Sequence, residues 1–194
     1  MKLSINASSN YDIIIKSGLL DQIDKYLDQF NSKQLFIICH PPFLLNKAEE
    51  IQLILKNKNY NVELLKILDG EQHKRIDNIQ FILQNLIDLN AQRDSVLLGF
   101  GGGSIGDSIG FVASIYMRGI KYINIPTTLL AMVDSSLGGK TGINYGGIKN
   151  VLGTFYHPLT VCIDPLLLST LPENQIRSGL GEIIKIEKSV LLHV

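Results

Sequence analysis

Short apolar runs that are typical of buried strands alternate along this chain with segments whose apolar residues recur at helical spacing. The predicted strands are residues 3–5, 12–15, 34–39, 62–68, 95–100, 122–125 and 160–163. Between the strands, helical stripes are predicted within 19–30 and 44–55, and the clearest one within 79–87. Strands joined by helical crossovers form a largely parallel sheet with helices on both faces. We therefore predict an α/β fold.

The fifth predicted strand leads into the sequence GGGSIGD, residues 101–107. Gly101, Gly103 and Gly106 satisfy the pattern G-x-G-x-x-G, and a helix is predicted to follow over 108–117. Glycines let the backbone approach a ligand closely, and the N–H groups at a helix N-terminus favour a phosphate. Because many strand-to-helix turns are glycine-rich for steric reasons alone, the pattern leaves both interpretations open.

Polar segments follow the predicted strands at 69–74, 101–107, 127–128 and 134–150. Ligands of parallel α/β sheets bind beyond the carboxyl ends of the strands, so we expect these segments to surround the site. Segment 134–150 contains five glycines and two lysines. It is predicted to be a long loop that is either functional or simply flexible. Its Gly139-Lys140-Thr141 does not belong to a Walker A loop, since Asp134 occupies the position of the first glycine and would repel a phosphate.

A dinucleotide fold of the usual kind has an acidic residue about 20 positions after the glycine turn, where it binds the ribose hydroxyls. Here that position is Pro126, so the standard dehydrogenase arrangement is excluded. Glu71 and Lys74 are candidates for the ribose and a phosphate, unless their segment is simply a solvated charged turn. The ribose contacts are therefore expected outside the glycine turn.

The charges and cysteines indicate which partners and compartment to expect. Eighteen basic and eighteen acidic residues cancel, which argues against nucleic acid or an anionic membrane as partner. Cys39 and Cys162 lie in apolar runs, as in reduced cytoplasmic proteins, and no disulfide is expected. No apolar stretch approaches the ~20 residues that a membrane span requires. We therefore expect a cytoplasmic protein.

A series of motifs in this order resembles the 3-dehydroquinate synthase family. They are DGEQHK at 69–74, GGGSIGD at 101–107, YMRG at 116–119, PTTLL at 126–130, VDSSLGGKT at 133–141, KN at 149–150, TLP at 170–172 and SGLGEIIK at 178–185. The resemblance extends from about residue 3 to Lys185 and is more specific than any single glycine pattern. It implies a homodimeric shikimate-pathway enzyme with a Rossmann-like domain, bound NAD and a divalent metal, zinc or cobalt.

The resemblance also implies a reaction. The family converts 3-deoxy-D-arabino-heptulosonate 7-phosphate, a phosphorylated sugar acid, into 3-dehydroquinate and phosphate. NAD transiently oxidises an alcohol, phosphate is eliminated, the carbonyl is reduced again, and the opened ring closes by an aldol step. Two alternatives stay open: another sugar-phosphate cyclase of the inosose or valiolone type, and a non-catalytic NAD-binding remnant or split-enzyme subunit.

Site residues are carried over from the family motif by motif. NAD would be bound by Asp69, Gly70, Glu71, Gln72, His73, Lys74, Gly103, Ser104, Ile105, Gly106, Asp107, Thr127, Thr128, Leu167, Leu168, Ser169 and Thr170. Lys140 and Lys149 would line the pocket between cofactor and substrate. Asn150 and Asp134 would contact the substrate, and Arg118 would reach the phosphate of the neighbouring subunit. Glu182 would bind the metal, with Lys185 one helical turn later on the same face.

The residues by themselves also permit structural interpretations. Asp107 is suited to the start of a helix, Thr127 and Thr128 to a helix cap, and Glu182 with Lys185 to a surface ion pair.

The last part of the chain departs from the family pattern. The resemblance implies an NAD-binding domain over 1–171 and the first helix of a helical metal and substrate domain over 172–194. The family's zinc site adds two histidines from that second domain. His193 lies about 16 Å along a helix from Glu182, too far to share its metal. Since zinc needs about three protein ligands, we expect the 194-residue chain to be inactive alone, as a fragment or with a missing C-terminal partner.

Overall fold

The computed structural model describes residues 1–7, 9–27, 30, 32–40, 44–67 and 74–191, with side chains as far as residue 188. The strands in this part are β1 (Lys2–Ile5), β2 (Tyr11–Ile15), β3 (Gln34–Cys39), β4 (Asn61–Lys66), β5 (Val96–Gly101), β6 (Lys121–Pro126), β7 (Lys140–Tyr145), β8 (Ile148–Phe155) and β9 (Thr160–Ile163). The α-helices are α1 (Asp24–Leu27), α2 (Leu45–Lys56), α3 (Ile76–Asp88), α4 (Gly103–Ile115) and α5 (Glu173–Leu191). Within the described residues, no helix is both long and apolar enough to cross a membrane.

Seven strands form one sheet in the order β1-β2-β9-β6-β5-β3-β4. Every neighbouring pair is parallel except β1 with β2, which confirms the predicted α/β, Rossmann-like, largely parallel sheet. Strand β3 has β4 on one side and β5 on the other, so the chain reverses its direction across the sheet between β3 and β5. The carboxyl ends of strands at such a reversal open a crevice where ligands bind.

Apolar side chains are buried on both faces of this sheet. In β3, Leu35 and Ile37 pack against α1 and α2, whereas Phe36 and Ile38 pack against α3 and α4. All four side chains are at most 1% exposed. Strands covered on both faces carry continuous apolar runs rather than alternating ones, which is why the sequence pattern predicted them.

The helix that follows β5 begins five residues earlier than the predicted helix over 108–117, inside the glycine-rich sequence. Helix α4 begins at Gly103, and Gly102 is its extended N-cap residue with φ −70° and ψ −179°. The bend between β5 and α4 is therefore confined to Gly102. Gly103, Gly106 and Asp107 lie in the first two turns of the helix. The predicted boundary was wrong because glycine is read as a helix breaker, although it enters a helix where its neighbours pack closely.

The prediction of a long loop over 134–150 is wrong for most of these residues. A π-helical turn, Ala131–Ser135, is followed by an antiparallel hairpin of β7 and β8. Gly146 and Gly147 connect the strands with φ of 59° and 79°. Two positive φ values are what a two-residue hairpin turn requires, and glycine adopts them without steric cost.

The helical stripe predicted within 19–30 forms less helix than its spacing indicates. It contains a 3₁₀ turn, Leu20–Gln22, and the four-residue α1, while residues 28 and 29 lie outside the described part. Leu20, Ile23 and Leu27 are nevertheless buried, because each turn places its apolar side chains against β3.

Candidate functional site

The N-terminus of α4 lies at the carboxyl end of β5, beside Thr128 and Ser135. No side chain caps its first turn. A Cβ atom on Gly103 would collide with Ser135 Oγ, and one on Gly102 would lie 3.3 Å from Thr128 Cγ2. Glycine is therefore required for the close approach of residues 128 and 135 to this turn. The backbone N–H groups and the positive end of the helix dipole remain directed at this crevice.

A buried hydroxyl faces the same turn. Within the described residues, Ser135 Oγ has no hydrogen-bond partner although the atom is buried. Buried polar atoms are nearly always paired, with protein or with a bound molecule. An anionic group at the helix N-terminus would accept hydrogen bonds both from the first-turn N–H groups and from this hydroxyl, so the residues fit a bound phosphate.

A cavity of about 540 Å³ lies between Asp107 of α4, the π-helical turn and the hairpin. It is lined by residues that the sequence predicted, Asp107, Asp134, Lys140 and Asn150, and by residues that it did not predict, Val133, Ser135, Leu137, Gly138, Thr141 and Gly142. The size falls within the range of small-molecule sites. The hairpin that the sequence did not predict thus supplies one wall of the cavity.

Lys74 joins three segments at the wall of this cavity. Its Nζ donates to Asp107 Oδ2 at 2.6 Å and to Asn150 Oδ1 at 2.8 Å. The Lys74 side chain is only 8% exposed and that of Asp107 22%. The ammonium is therefore partnered by protein atoms rather than placed in open solvent, and it ties α4 to the hairpin.

Asn150 is held in an uncommon backbone conformation. Its φ is 51°, in the left-handed region, where asparagine is among the few side-chain-bearing residues found regularly. The Asn150 N–H donates to Asn144 Oδ1 at 2.9 Å, and the side chain accepts from Lys74. Backbone and side chain of Asn150 are thus positioned by separate contacts.

The two predicted threonines follow β6. Thr127 N–H donates to Gly101 O at 3.0 Å and the residue is 5% exposed. Thr128 Oγ1 accepts from Ala131 N–H at 3.2 Å, as a helix cap does. Thr128 thus has the helix-cap role that the sequence permitted. It also lies beside Gly102, at the start of α4.

Residues 167–170 also lie at the carboxyl edge. They belong to a 3₁₀ helix, Pro165–Thr170, that follows β9. The hydroxyls of Ser169 and Thr170 donate to main-chain carbonyls within that helix. Asp164, which sequence reasoning missed, anchors it: this buried carboxylate accepts from Leu166 N–H at 3.1 Å and from Gly18 N–H at 3.1 Å.

On α5, Glu182 and Lys185 form the ion pair that their spacing permits, with Lys185 Nζ 2.9 Å from Glu182 Oε1. This hydrogen bond, and then the charge of Glu182, raise the pKa of Lys185, and Asp134 acts in the same direction. Lys185 thus lies within electrostatic reach of the cavity. In the part of the chain that the structure describes, no three His, Cys, Asp or Glu residues are grouped to hold a metal.

Several predicted site residues lie away from the cavity or cannot be placed. Arg118 is exposed in the turn after α4, at the opposite end of that 13-residue helix, about 20 Å from the glycine turn. Lys149 is exposed on β8 and does not line the cavity. Outside the described residues are Asp69, Gly70, Glu71, Gln72, His73 and His193.

The sequence did contain one signal for the hairpin that forms this cavity wall. Gly-Gly between NY and IK is a hairpin turn pattern when both flanks carry strand-forming residues. Ser135, by contrast, lies among other small polar residues, and nothing local distinguishes it. Only the packing of the π-helical turn against α4 does so.

Comparison with known proteins identifies the family. Residues 64–178 match the family described as 3-dehydroquinate synthase N-terminal. The 3-dehydroquinate synthase of Prochlorococcus marinus subsp. pastoris is 39% identical over 188 residues, which cover 95% of this chain and 52% of that protein. The chain thus spans about half the length of the curated relatives it matches.

Solved structures agree with this assignment. A 2-deoxy-scyllo-inosose synthase complexed with carbaglucose-6-phosphate, NAD⁺ and Co²⁺ has a TM-score of 0.86 at 28% identity, covering 95% of this chain and 50% of that one. The 2-epi-5-epi-valiolone synthase ValA of Streptomyces hygroscopicus, with NAD⁺ and Zn²⁺ bound, has a TM-score of 0.83 at 30% identity, with 95% and 51% covered. The family match spans more than half of the chain and the fold agrees, so this chain belongs to the 3-dehydroquinate synthase family.

Proposed function

We propose that this chain is the NAD-binding part of a sugar-phosphate cyclase of the 3-dehydroquinate synthase type. The reaction would convert 3-deoxy-D-arabino-heptulosonate 7-phosphate into 3-dehydroquinate and phosphate, a step that leads toward chorismate and the aromatic amino acids. The observation that carries the proposal is the side-chain-uncapped N-terminus of α4 beside Ser135, which also lines the cavity formed by Asp134, Lys140 and Asn150.

The pyrophosphate of NAD would lie at the first turn of α4. The N–H groups of Gly103 and Ser104 and the hydroxyl of Ser135 are the donors available there, and no carboxylate lies in that turn. Bound at this turn, NAD would supply reversible hydride transfer with a substrate alcohol. The similar structures of an inosose synthase and a valiolone synthase both contain NAD⁺, which supports this assignment.

The chain's own residues would bind and orient the substrate beside NAD. Asp134 would accept hydrogen bonds from substrate hydroxyls, and the exposed Lys140 ammonium would attract the anionic substrate. Asn150, held by Lys74, would present its amide group to the cavity. Lys149 and Arg118 would act from outside the cavity of this chain, Arg118 on the phosphate of a neighbouring subunit.

The metal site is not formed by the described residues. Glu182 is one carboxylate, and about three protein ligands are needed for zinc. The further metal ligands would have to come from residues outside the described part. The zinc and cobalt in the two similar structures favour these metals. We propose that turnover requires these further metal ligands.

We further propose the domain boundary expected from the sequence. Residues 1–171 would form the NAD-binding domain, and α5 would begin the metal and substrate domain. Helix α5 follows the last described strand of the sheet and runs for 19 residues. Its exposed apolar side chains, among them Leu180 and Ile184 at 46% and 52%, are suited to packing against further helices.

A second candidate is a cyclase that makes an inosose or valiolone-type ring. The solved structures with TM-scores of 0.83 to 0.88 belong to enzymes of these types, whereas the curated relatives are 3-dehydroquinate synthases. Reconstitution with a helical partner domain, followed by product identification by NMR, would distinguish them. The non-catalytic alternative predicts NAD binding without turnover in every such mixture.

Calorimetric titration with NAD tests the first step of the proposal. We expect Gly103→Ala to weaken NAD binding at least about tenfold, because the added methyl group collides with Ser135 Oγ and closes the first turn. Gly181→Ala on α5 is the matched control, since its Cβ would contact nothing within 4 Å. Circular dichroism would establish that both variants are folded. Absence of NAD uptake by the unmodified chain at millimolar concentration would refute the proposal.

A further inference from the structure

The ladder between β7 and β8 is interrupted at Asn150. Two successive pairs of the ladder bound the interruption: Ile143 with Leu152, and Tyr145 with Ile148. These pairs are two residues apart on β7 but four residues apart on β8, so residues 149–151 lie opposite Asn144 alone. Extra residues of this kind form a β-bulge, which bends the strand and gives a side chain a direction that a regular strand would not give it.

The backbone of Asn150, the middle residue of this bulge, is held by the side chain of Asn144. Asn150 has a φ of 51°, and its N–H donates to Asn144 Oδ1 at 2.9 Å. A bulged residue is left unpaired by the ladder, so the side-chain oxygen takes the place of a main-chain acceptor. Asn144 thus stabilises a left-handed conformation that strands do not otherwise contain.

The side chain of Asn150 is held separately, by Lys74. Lys74 Nζ donates to Asn150 Oδ1 at 2.8 Å and to Asp107 Oδ2 at 2.6 Å. Because the oxygen of the Asn150 amide faces the ammonium, its Nδ2 donors face away from it. Asn150 and Asp107 both line the cavity. A donor in this wall is suited to an oxygen atom of a carboxylate, a phosphate or a carbonyl group.

Asn144 is itself fixed in place. Its neighbour Ile143 is fully buried in the core that α3 and α4 form on one face of the sheet. The main chain of Asn144 forms a parallel β-bridge with Arg75, the residue that follows Lys74. This bridge brings Lys74 to the hairpin, while the partly buried Asn144 side chain contacts Asn150. One position on β7 is therefore connected to both of the contacts that hold Asn150.

We propose that Asn144 is a positioning residue of this site. By accepting the Asn150 N–H it maintains the bulge, and the bulge directs the Asn150 amide group to the cavity, where it would donate to an oxygen of the substrate. This last step rests on the proposed function, which supplies the substrate. The position requires an acceptor where Asn144 Oδ1 lies and does not require an amide. Aspartate would therefore replace Asn144, and alanine would not.

Hydrogen exchange followed by NMR tests the contact without any ligand. In Asn144→Ala, exchange of the Asn150 N–H should rise at least about fivefold, because one hydrogen bond is lost. Asn144→Asp keeps the acceptor, so its rate should stay within about twofold of the unmodified chain. The Tyr156 N–H, which donates to Gly139 O at 2.8 Å, reports on opening of the hairpin and should keep its rate in both variants.

The proposal is overturned if Asn150 exchanges as fast in Asn144→Asp as in Asn144→Ala, or if Tyr156 is accelerated as much as Asn150. Should alanine prevent folding, Asn144→Asp decides by itself: a protected Asn150 N–H supports the proposal, and an unprotected one overturns it.

Titration of the NAD-loaded chain with 3-deoxy-D-arabino-heptulosonate 7-phosphate tests the consequence for binding. Asn144→Ala should raise the dissociation constant of this substrate at least about fivefold and that of NAD by less than about twofold. Asn144→Asp should restore the substrate constant. Asn85→Ala is the matched control, because Asn85 Nδ2 likewise makes one hydrogen bond to the main chain, to Phe81 O at 2.8 Å, and does not line the cavity. It should leave both constants unchanged.

The outcomes separate this inference from the proposed function. If Asn144→Ala weakens NAD and substrate equally, the residue supports the cavity as a whole and the positioning role is refuted. A chain that takes up NAD but not the heptulosonate phosphate would count against the proposed substrate, whereas hydrogen exchange at Asn150 would still decide whether Asn144 holds the bulge.

Discussion

At the scale of single residues, the site depends on a lysine held by two partners that are distant in sequence. Lys74 is 33 positions from Asp107 and 76 positions from Asn150. The Lys74 side chain is 8% exposed, so removal of its ammonium would take one charged donor away from a mostly buried carboxylate and from an amide oxygen. Losing one partner of a buried pair costs far more than losing an exposed pair.

We therefore expect Lys74→Met to lower the free energy of unfolding by about 3 kcal/mol, the lower end of the range for buried pairs because Asp107 keeps 22% exposure. Lys66→Met is the matched control. Lys66 lies 3.5 Å from Glu49 with both side chains about half exposed, and its loss should change stability by about 0.5 kcal/mol or less. Urea unfolding measures both variants. Equal effects would show that burial of the Lys74 pair is unimportant.

At the scale of elements, the docking of α5 places Glu182 and Lys185 near the cavity. A Cβ on Gly179 would lie 2.5 Å from Leu129 Cγ and 2.8 Å from Leu130 N. Glycine at this position thus lets the helix lie directly on the backbone that leads into the π-helical turn. Residues 131–135 of that turn include both Asp134 and Ser135 of the cavity wall.

Gly179→Ala should therefore destabilise the fold by about 1–3 kcal/mol, because a main-chain atom cannot move aside as a flexible side chain can. Gly181→Ala, two residues along the same helix, should stabilise it by about 0.5–1 kcal/mol, since alanine favours a helix and the site is open. Thermal unfolding and hydrogen exchange of α5 measure the difference. A stabilising Gly179→Ala would show that α5 is not seated on this turn.

At the scale of the whole molecule, the two cysteines report on the integrity of the sheet. Burial raises the pKa of the Cys39 thiol to about 11 and that of Cys162 to about 12, from an ordinary value of 9.0. The folded state thus holds its thiol protons more tightly than the unfolded chain does. Stability from this source is complete below pH 9 and is lost as the pH rises toward 11 and 12.

We expect the free energy of unfolding to fall above about pH 9, by about 1.4 kcal/mol per pH unit for each thiol. The Cys39→Ala/Cys162→Ala variant should show a shallower fall. A residual fall should remain, because burial also raises the pKa of Tyr122. Urea unfolding across an alkaline pH series measures the slopes. Identical slopes in both proteins would contradict this assignment.

The sequence by itself determined the layered α/β architecture and the position of the glycine turn. Apolar runs such as 34–39 are local signals, because a strand buried on both faces needs apolar side chains at every position. Glycines that precede a helix are equally local. The ordered motifs likewise indicated the family, which the comparisons confirmed.

Only the tertiary structure decided how the site is assembled. Lys74 meets Asp107 and Asn150, Ser135 lies over Gly103, and Arg118 is remote from the cavity of its own chain. Each of these relations joins residues whose separation in sequence carries no information about their separation in space. Strand order and the packing of the hairpin on α4 set those distances, and both are outcomes of the whole core rather than of any local pattern.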